Sequence, residues 1–159
     1  MVGPLSGRTT SAEVREMGLL GKLFGTKKPQ HPALDPSNPA VERILRDKAM
    51  LEGLAGKVRD NLELVPGSRA TYVFIGRPPD AFGLVWFEGS EEHNLKRLMA
   101  ERKLTQGKVQ AISDELREAY QRTQAEPRYA YALGGKHVVV TPSATLEAEL
   151  VKHIHHVEE

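Results

Sequence analysis

Residues 72–89, YVFIGRPPDAFGLVWFEG, predict a β-hairpin that has no obvious face for water. Two apolar runs flank a turn that contains Pro78 and Pro79, and the side chains of a strand alternate between the two faces of its sheet. In a sheet with one wet face, every second residue is polar. Here both alternating sets are apolar, so both faces of this hairpin must be covered.

A second hairpin is predicted around Gly134 and Gly135. The run YAYAL precedes this pair and KHVVV follows it, and two glycines suit the left-handed backbone angles of a tight turn. We expect the two hairpins to pair edge to edge as a four-stranded antiparallel sheet. One face of that sheet should carry Tyr72, Phe74, Trp86, Tyr129, Tyr131 and Leu133, and the other Val73, Ile75, Val85, Phe87, Val138 and Val140.

A helix is predicted before the first hairpin. Asn38 is a good N-cap, and Pro39 suits the first helical position. Apolar residues then recur at helical spacing as far as Leu62, which gives one broad apolar face. We therefore expect a single helix between residue 38 and the first hairpin.

Two further helical regions complete the predicted order. Residues 90–124 predict a helix that is capped by Ser90 and is either continuous or broken near Gly107. A last helix should follow Thr141 and Pro142. The predicted fold class is α+β, with the order α-ββ-α-ββ-α and the helices packed on the sheet.

The first part of the chain differs in composition from the rest. Five of the ten prolines lie within the first 39 residues, so we predict a flexible lead over residues 1–37 and one α+β domain over residues 38–159. Within the lead, residues 17–28 form a short amphipathic segment, MGLLGKLFGTKK, that offers at most a weak membrane contact. Bacterial cytoplasmic proteins often open with such a segment, which suggests Met17 as the initiator.

The overall composition predicts a cytoplasmic protein without a nucleic-acid partner. Twenty-two basic and 21 acidic residues leave a formal net charge of +1, so there is no strong field to attract nucleic acid or an anionic membrane. The chain has no cysteine, which excludes disulfides and thiolate chemistry and fits a reducing compartment. No apolar run approaches the roughly 20 residues that cross a bilayer.

No sequence motif identifies a catalytic site or a cofactor. The turn sequence LGGKH at residues 133–137 lacks the spacing of a phosphate loop, and GxSxG, HExxH and GxGxxG strings are all missing. Catalytic groups often lie far apart in sequence, so an enzyme with a dispersed site stays an alternative. We favour a non-enzymatic role and expect no cofactor.

The C-terminal histidines are the candidate metal ligands. His153 and His156 lie three residues apart on one flank of the last predicted helix, and Glu149 lies one turn before His153. Imidazole and carboxylate groups are ligands that Zn²⁺ or Ni²⁺ accepts. Because these residues occupy the last turns of the chain, where helices fray, solvated histidines are the competing interpretation.

The second apolar face of the sheet raises the question of a partner. Each buried Val, Ile or Phe gains roughly 1.5–3 kcal/mol, so this face must be covered either by the first helix or by another protein. A second copy is the simplest such protein. The candidate interface residues are Val73, Ile75, Val85, Phe87, Val138 and Val140.

These observations together predict an adaptor-like or chaperone-like domain that acts by protein–protein interaction or regulation. We expect it to form a homodimer or to bind another protein. The alternatives are a regulatory domain that binds a small molecule or a metal, and the enzyme with a dispersed site.

Overall fold

The computed structural model describes residues 31–159, so Met17, the segment 17–28 and most of the predicted lead lie outside the described residues. The described helices are α1 (Pro39–Arg46), α2 (Lys48–Lys57), α3 (Leu95–Glu101), α4 (Gln106–Arg122) and α5 (Ala144–Glu158). The described strands are β1 (Leu62–Pro66), β2 (Thr71–Gly76), β3 (Phe82–Glu88), β4 (Glu91–Asn94), β5 (Tyr129–Leu133) and β6 (Lys136–Val140).

The six strands form one mixed sheet in the order β4-β3-β2-β1-β6-β5. Strands β1 and β6 are parallel, and the other neighbours are antiparallel. The two predicted hairpins are present as β2–β3 and β5–β6. The predicted four-stranded antiparallel sheet and the order α-ββ-α-ββ-α are nevertheless wrong, because β1 lies between the hairpins and β4 extends the sheet beyond β3.

Strand β1 occupies the end of the predicted first helix. The helical region stops at Lys57, and Asp47 divides it into α1 and α2. The buried Asp47 carboxylate accepts a hydrogen bond of 2.8 Å from the hydroxyl of Thr71 on β2, which fixes this junction to the sheet. All five residues of β1 are buried, so the strand has no exposed polar face. Its apolar residues are therefore compatible with a helix as well as with a strand that is buried on both faces.

Strand β4 replaces the predicted start of the middle helix. Gly89 and Ser90 both have positive φ, +59° and +72°, as in the two-residue turns that join antiparallel strands. Ser90 is therefore a turn residue, and the prediction that it caps a helix is wrong. The cap of α3 is Asn94, whose side chain accepts a hydrogen bond of 3.1 Å from the backbone N–H of Arg97.

The middle helical region consists of two helices, which was one of the two predicted alternatives. α3 ends at Glu101, and α4 begins after Thr105. The Thr105 hydroxyl accepts a hydrogen bond of 3.2 Å from the N–H of Lys108 and so starts the second helix. The break precedes Gly107.

Helices cover both faces of the sheet, which confirms that both faces of the first hairpin are shielded. α3, α4 and α5 pack on one face over a cluster that includes Val65, Phe74, Trp86, Leu116, Leu146 and Leu150. α1 and α2 pack on the other face over a cluster that includes Ile44, Leu51, Leu64, Val73, Phe87 and Val140. The described residues thus form three layers, α/β/α.

The faces of β5 differ from the prediction. Tyr129 lies opposite Val140, and Tyr131 lies opposite Val138. Because directly opposed residues of an antiparallel pair share a face, both tyrosines pack with the α1–α2 cluster and not with Tyr72.

The last residues of the predicted lead contact the sheet. The N–H of Leu34 donates to the carbonyl of Ala130 over 2.9 Å, and the N–H of Ala130 donates to the carbonyl of Pro32 over 2.8 Å. Leu34 is also buried against the α1–α2 side. Residues 32–34 therefore form an isolated parallel bridge with β5, in which Ala33 lies opposite Ala130. Within residues 31–159, no helix combines the length and the apolar character that a bilayer crossing needs.

Candidate functional site

A groove of about 390 Å³ lies beside β3, between α3 and α4. Its size falls within the range of about 300–1,000 Å³ that is usual for ligand sites. The polar lining residues are Asn94, Lys96, Ser113 and Arg117, and the rest of the lining is Ile75, Phe82, Gly83, Leu84, Val85, Leu95, Met99, Val109 and Leu116. The groove is therefore mainly apolar, with a few polar groups among its walls.

The groove exists because β4 is short. β4 pairs with β3 only over Val85–Glu88, after which Asn94 caps α3 and the chain leaves the edge of the sheet. Among the described residues, the segment Phe82–Leu84 of β3 consequently has a strand neighbour on the β2 side alone. Together with the outer sides of β4 and β5, this segment is one of the open edges of the sheet.

Two residues of the open edge, Phe82 and Leu84, have backbone groups that point away from β2, and both residues line the groove. The N–H of Arg77 donates to the carbonyl of Ala81 over 2.8 Å, so this pair is a hydrogen-bonded pair of the β2–β3 ladder. Hydrogen-bonded and non-hydrogen-bonded pairs alternate along antiparallel strands. The N–H and C=O of Gly83 therefore face β2, whereas those of Phe82 and Leu84 face away from it. Such an edge can accept the backbone of another strand.

Gly83 leaves space at the centre of the open edge. A Cβ atom added at Gly83 would meet no atom within 4 Å. A glycine inside a strand often marks a place where another backbone or a ligand approaches closely. Gly83 is therefore the local sequence feature from which a groove at this strand could have been predicted.

A buried polar cluster lies elsewhere, around Glu63 on β1. Its carboxylate contacts the Arg128 guanidinium, with Nε and Oε2 3.1 Å apart and the two side chains only 9% and 10% exposed. The hydroxyls of Tyr120 and Thr141 each donate to this carboxylate over 2.6 Å. Nη1 of Arg128 donates to backbone carbonyls of the turn that follows α4. The cluster ties β1, α4 and the end of β6 together, and Nη2 of Arg128 is a buried nitrogen without a hydrogen-bond partner among the described residues.

Two tyrosines have raised pKa values. Burial, followed by the negative charge of Glu147, raises the pKa of Tyr72 to about 12 from the ordinary value of 10.0. Burial, together with the hydrogen bond donated to Glu63, raises the pKa of Tyr120 well above that ordinary value. Both phenols therefore stay protonated in the folded chain at pH values where exposed phenols ionise.

Alkaline pH is expected to destabilise the fold through these two phenols. Because their pKa values are raised in the folded state, the unfolded chain loses these protons first, so the contribution is complete below about pH 10 and is lost as pH rises through the folded pKa values. We expect the urea midpoint to fall steadily between about pH 10 and pH 12. Urea titrations of Tyr72→Phe should show a shallower fall, and an unchanged pH dependence would contradict this assignment.

The structure brings two of the three predicted metal ligands together. His153 is buried, with Nε2 3.4 Å from Oε1 of Glu149 and Nδ1 3.2 Å from Oε1 of Glu115. His156 instead lines a different cavity, of about 360 Å³, with Arg102, which follows α3, and with residues of α4 and α5. Within the described part of the chain, no group of three or more His, Cys, Asp or Glu residues could hold a metal ion.

The predicted interface residues lie inside the single chain. Val73, Val85, Phe87, Val138 and Val140 are buried beneath α1 and α2, and Ile75 is partly buried beside them. The second apolar face of the sheet was expected to be covered either by the first helix or by another protein. In the structure the first helical region covers it. Leu45, on α1, is the one large hydrophobic residue that is strongly exposed among residues 31–159, at 49%.

Comparisons with protein-family models, with curated proteins and with solved structures find no match for this chain.

Proposed function

We propose that this domain binds an extended segment of a partner protein, which adds as a strand to the open edge of β3. The role would be that of an adaptor or a chaperone-like regulator. The observation that carries the proposal is the pair of backbone positions, Phe82 and Leu84, whose N–H and C=O groups face an apolar groove without a neighbouring strand in the described chain.

Strand addition fits both the open backbone edge and the apolar lining of this groove. Backbone hydrogen bonds to a sheet edge supply affinity, and pockets for alternate side chains supply specificity. The apolar residues of α3 and α4 form one such pocket beside the edge, and the space at Gly83 lies on the strand itself. A small apolar molecule could fill the groove, but it would leave the backbone groups of Phe82 and Leu84 without partners.

Amide hydrogen exchange tests the proposal directly. The probe is TQTVTQT, a neutral peptide with an acetylated and an amidated end, added to the full chain. We expect the exchange of the Phe82 and Leu84 amides to slow about tenfold when the peptide is present at about ten times its Kd. The amide of Gly83 faces β2 and serves as the internal reference. Binding that leaves the Phe82 and Leu84 amides unchanged would indicate a groove ligand and not an added strand.

A matched pair of valine variants locates the site. Val109 lines the groove from α4, and Val151 is a partly buried valine of α5 that packs on the same core. Val109→Glu should weaken peptide binding at least tenfold, because it places a carboxylate in the apolar wall. Val151→Glu places a carboxylate at a similarly buried position outside the groove, so it should destabilise the fold to a similar degree and leave the Kd for the peptide unchanged. Equal effects of the two variants would argue against this groove.

A second copy of the chain is another possible occupant of the same edge. Light scattering of the full chain over a range of concentrations distinguishes the two occupants. A constant monomer mass, with peptide binding, supports the proposal. A mass that doubles with concentration, together with protection of Phe82 and Leu84 in the absence of peptide, would assign the edge to a homodimer.

We place this activity in the bacterial cytoplasm, where a cysteine-free chain needs no oxidising environment.

A further inference from the structure

The two ends of the open edge each carry a cation. Arg117 lies at the Phe82 end, with its guanidinium carbon 5.8 Å from the Phe82 ring centre and its Nε donating to the carbonyl of Asp80 over 3.1 Å. Lys96 lies at the other end, two residues after Asn94, the last residue of β4, which pairs with Val85. The open segment of β3 therefore lies between two positive side chains.

The charge of the groove is not neutralised by its own lining. No Asp or Glu of residues 31–159 is among its lining residues. Arg117 contacts Asp114 over 3.0 Å, which lies outside the lining and offsets part of its charge. Lys96 is exposed and takes part in none of the ion pairs found between described residues. The groove thus presents an apolar centre with positive ends.

We propose, on the basis of the proposed function, that the strand bound at this edge is acidic, with the pattern acidic-x-apolar-x-acidic. Phe82 and Val85 are separated by about 10 Å at roughly 3.3 Å per residue. Lys96 and Arg117 both belong to helices on the same face of the sheet, so the two acidic side chains and the central apolar one must share a face of the added strand. Residues on one face are spaced by even numbers, and a spacing of four, about 13 Å, is the first that spans this distance.

Three peptides of one design test the charge requirement: TETVTET, TQTVTQT and TKTVTKT, each with blocked ends. We expect the acidic peptide to bind the full chain about 2- to 30-fold more tightly than the neutral one, as two solvent-exposed charge pairs allow, and the basic peptide to bind most weakly. The difference should shrink as salt is added, because exposed charges are screened. Fluorescence anisotropy of labelled peptides gives the three Kd values.

Two charge-reversal variants assign the effect to this groove. Lys96→Glu should abolish the preference for the acidic peptide, whereas Lys152→Glu, an exposed lysine of α5 that does not line the groove, changes the net charge equally and should leave the preference intact. Equal affinities of all three peptides would overturn the acidic pattern and leave strand addition standing. Failure of every peptide to bind at millimolar concentration would overturn strand addition as well.

Discussion

Replacing Arg128 by methionine is expected to lower the free energy of unfolding by about 3–5 kcal/mol. The substitution leaves the carboxylate of Glu63 buried at 9% exposure without its positive partner. The hydroxyls of Tyr120 and Thr141 still donate to this carboxylate, but they cannot balance its charge. Urea denaturation of the variant and the parent chain, followed by far-ultraviolet circular dichroism, measures the difference.

Two further variants separate the charge effect from the loss of packing. In Glu63→Gln combined with Arg128→Met, the buried charge is gone, so we expect the double variant to be more stable than Arg128→Met alone. Arg122→Met removes an arginine that is 55% exposed and contacts Glu149 over 3.0 Å, and it should cost no more than about 1 kcal/mol. A double variant that is as unstable as the single one would show that packing, and not charge, causes the loss.

The sequence predicts the parts of the fold that depend on short-range signals. The second hairpin forms around Gly134 and Gly135, whose φ angles of +57° and +82° are the left-handed values that the glycine pair indicated. Likewise Asn38 caps the first helix, where its side chain accepts a hydrogen bond of 2.9 Å from the N–H of Ala40. In both cases a few neighbouring residues determine the backbone.

The central strand could not be predicted in this way. β1 (Leu62–Pro66) is buried on both faces, so it lacks the polar alternation that distinguishes a strand from a helical continuation. Its parallel neighbour is β6, where Glu63 lies opposite Val139, more than 70 residues along the chain. No local pattern specifies such a pairing. The one unusual local feature is Glu63 itself, an acidic residue within an apolar strand, which in the structure marks the buried polar cluster.

The candidate groove depends on the three-dimensional arrangement of edges. The helix predicted over residues 90–124 includes Glu91–Asn94, whereas these residues form β4, and it is the early end of β4 that leaves part of β3 open. Whether a strand edge is open depends on which strands are its neighbours, and the sequence alone does not supply that information. The apolar second face was identified correctly, but α1 and α2 cover it, so the residues proposed as an interface form a core.

Replacing Phe87 by alanine is expected to cost about 3–5 kcal/mol of unfolding free energy, the usual range for a large aromatic side chain lost from a core. Phe87 is 1% exposed in the single chain and packs beneath α1 and α2. If its burial required a second copy, the unfolding midpoint of the parent chain would rise with protein concentration, because association stabilises the folded state by mass action. We expect a midpoint that does not depend on concentration, in the parent chain and in the variant.

Leu45→Ala is the matched control for this prediction. Leu45 is a large hydrophobic residue on α1 with 49% of its surface exposed, so its truncation should change the free energy of unfolding by no more than about 0.5 kcal/mol. Thermal unfolding at protein concentrations that differ 100-fold measures the stability change of each variant and the dependence of the unfolding midpoint on concentration. The contrary result is a midpoint that rises with concentration in the parent chain but not in Phe87→Ala. It would indicate that Phe87 lies in an interface between two copies, with α1 and α2 displaced from the sheet.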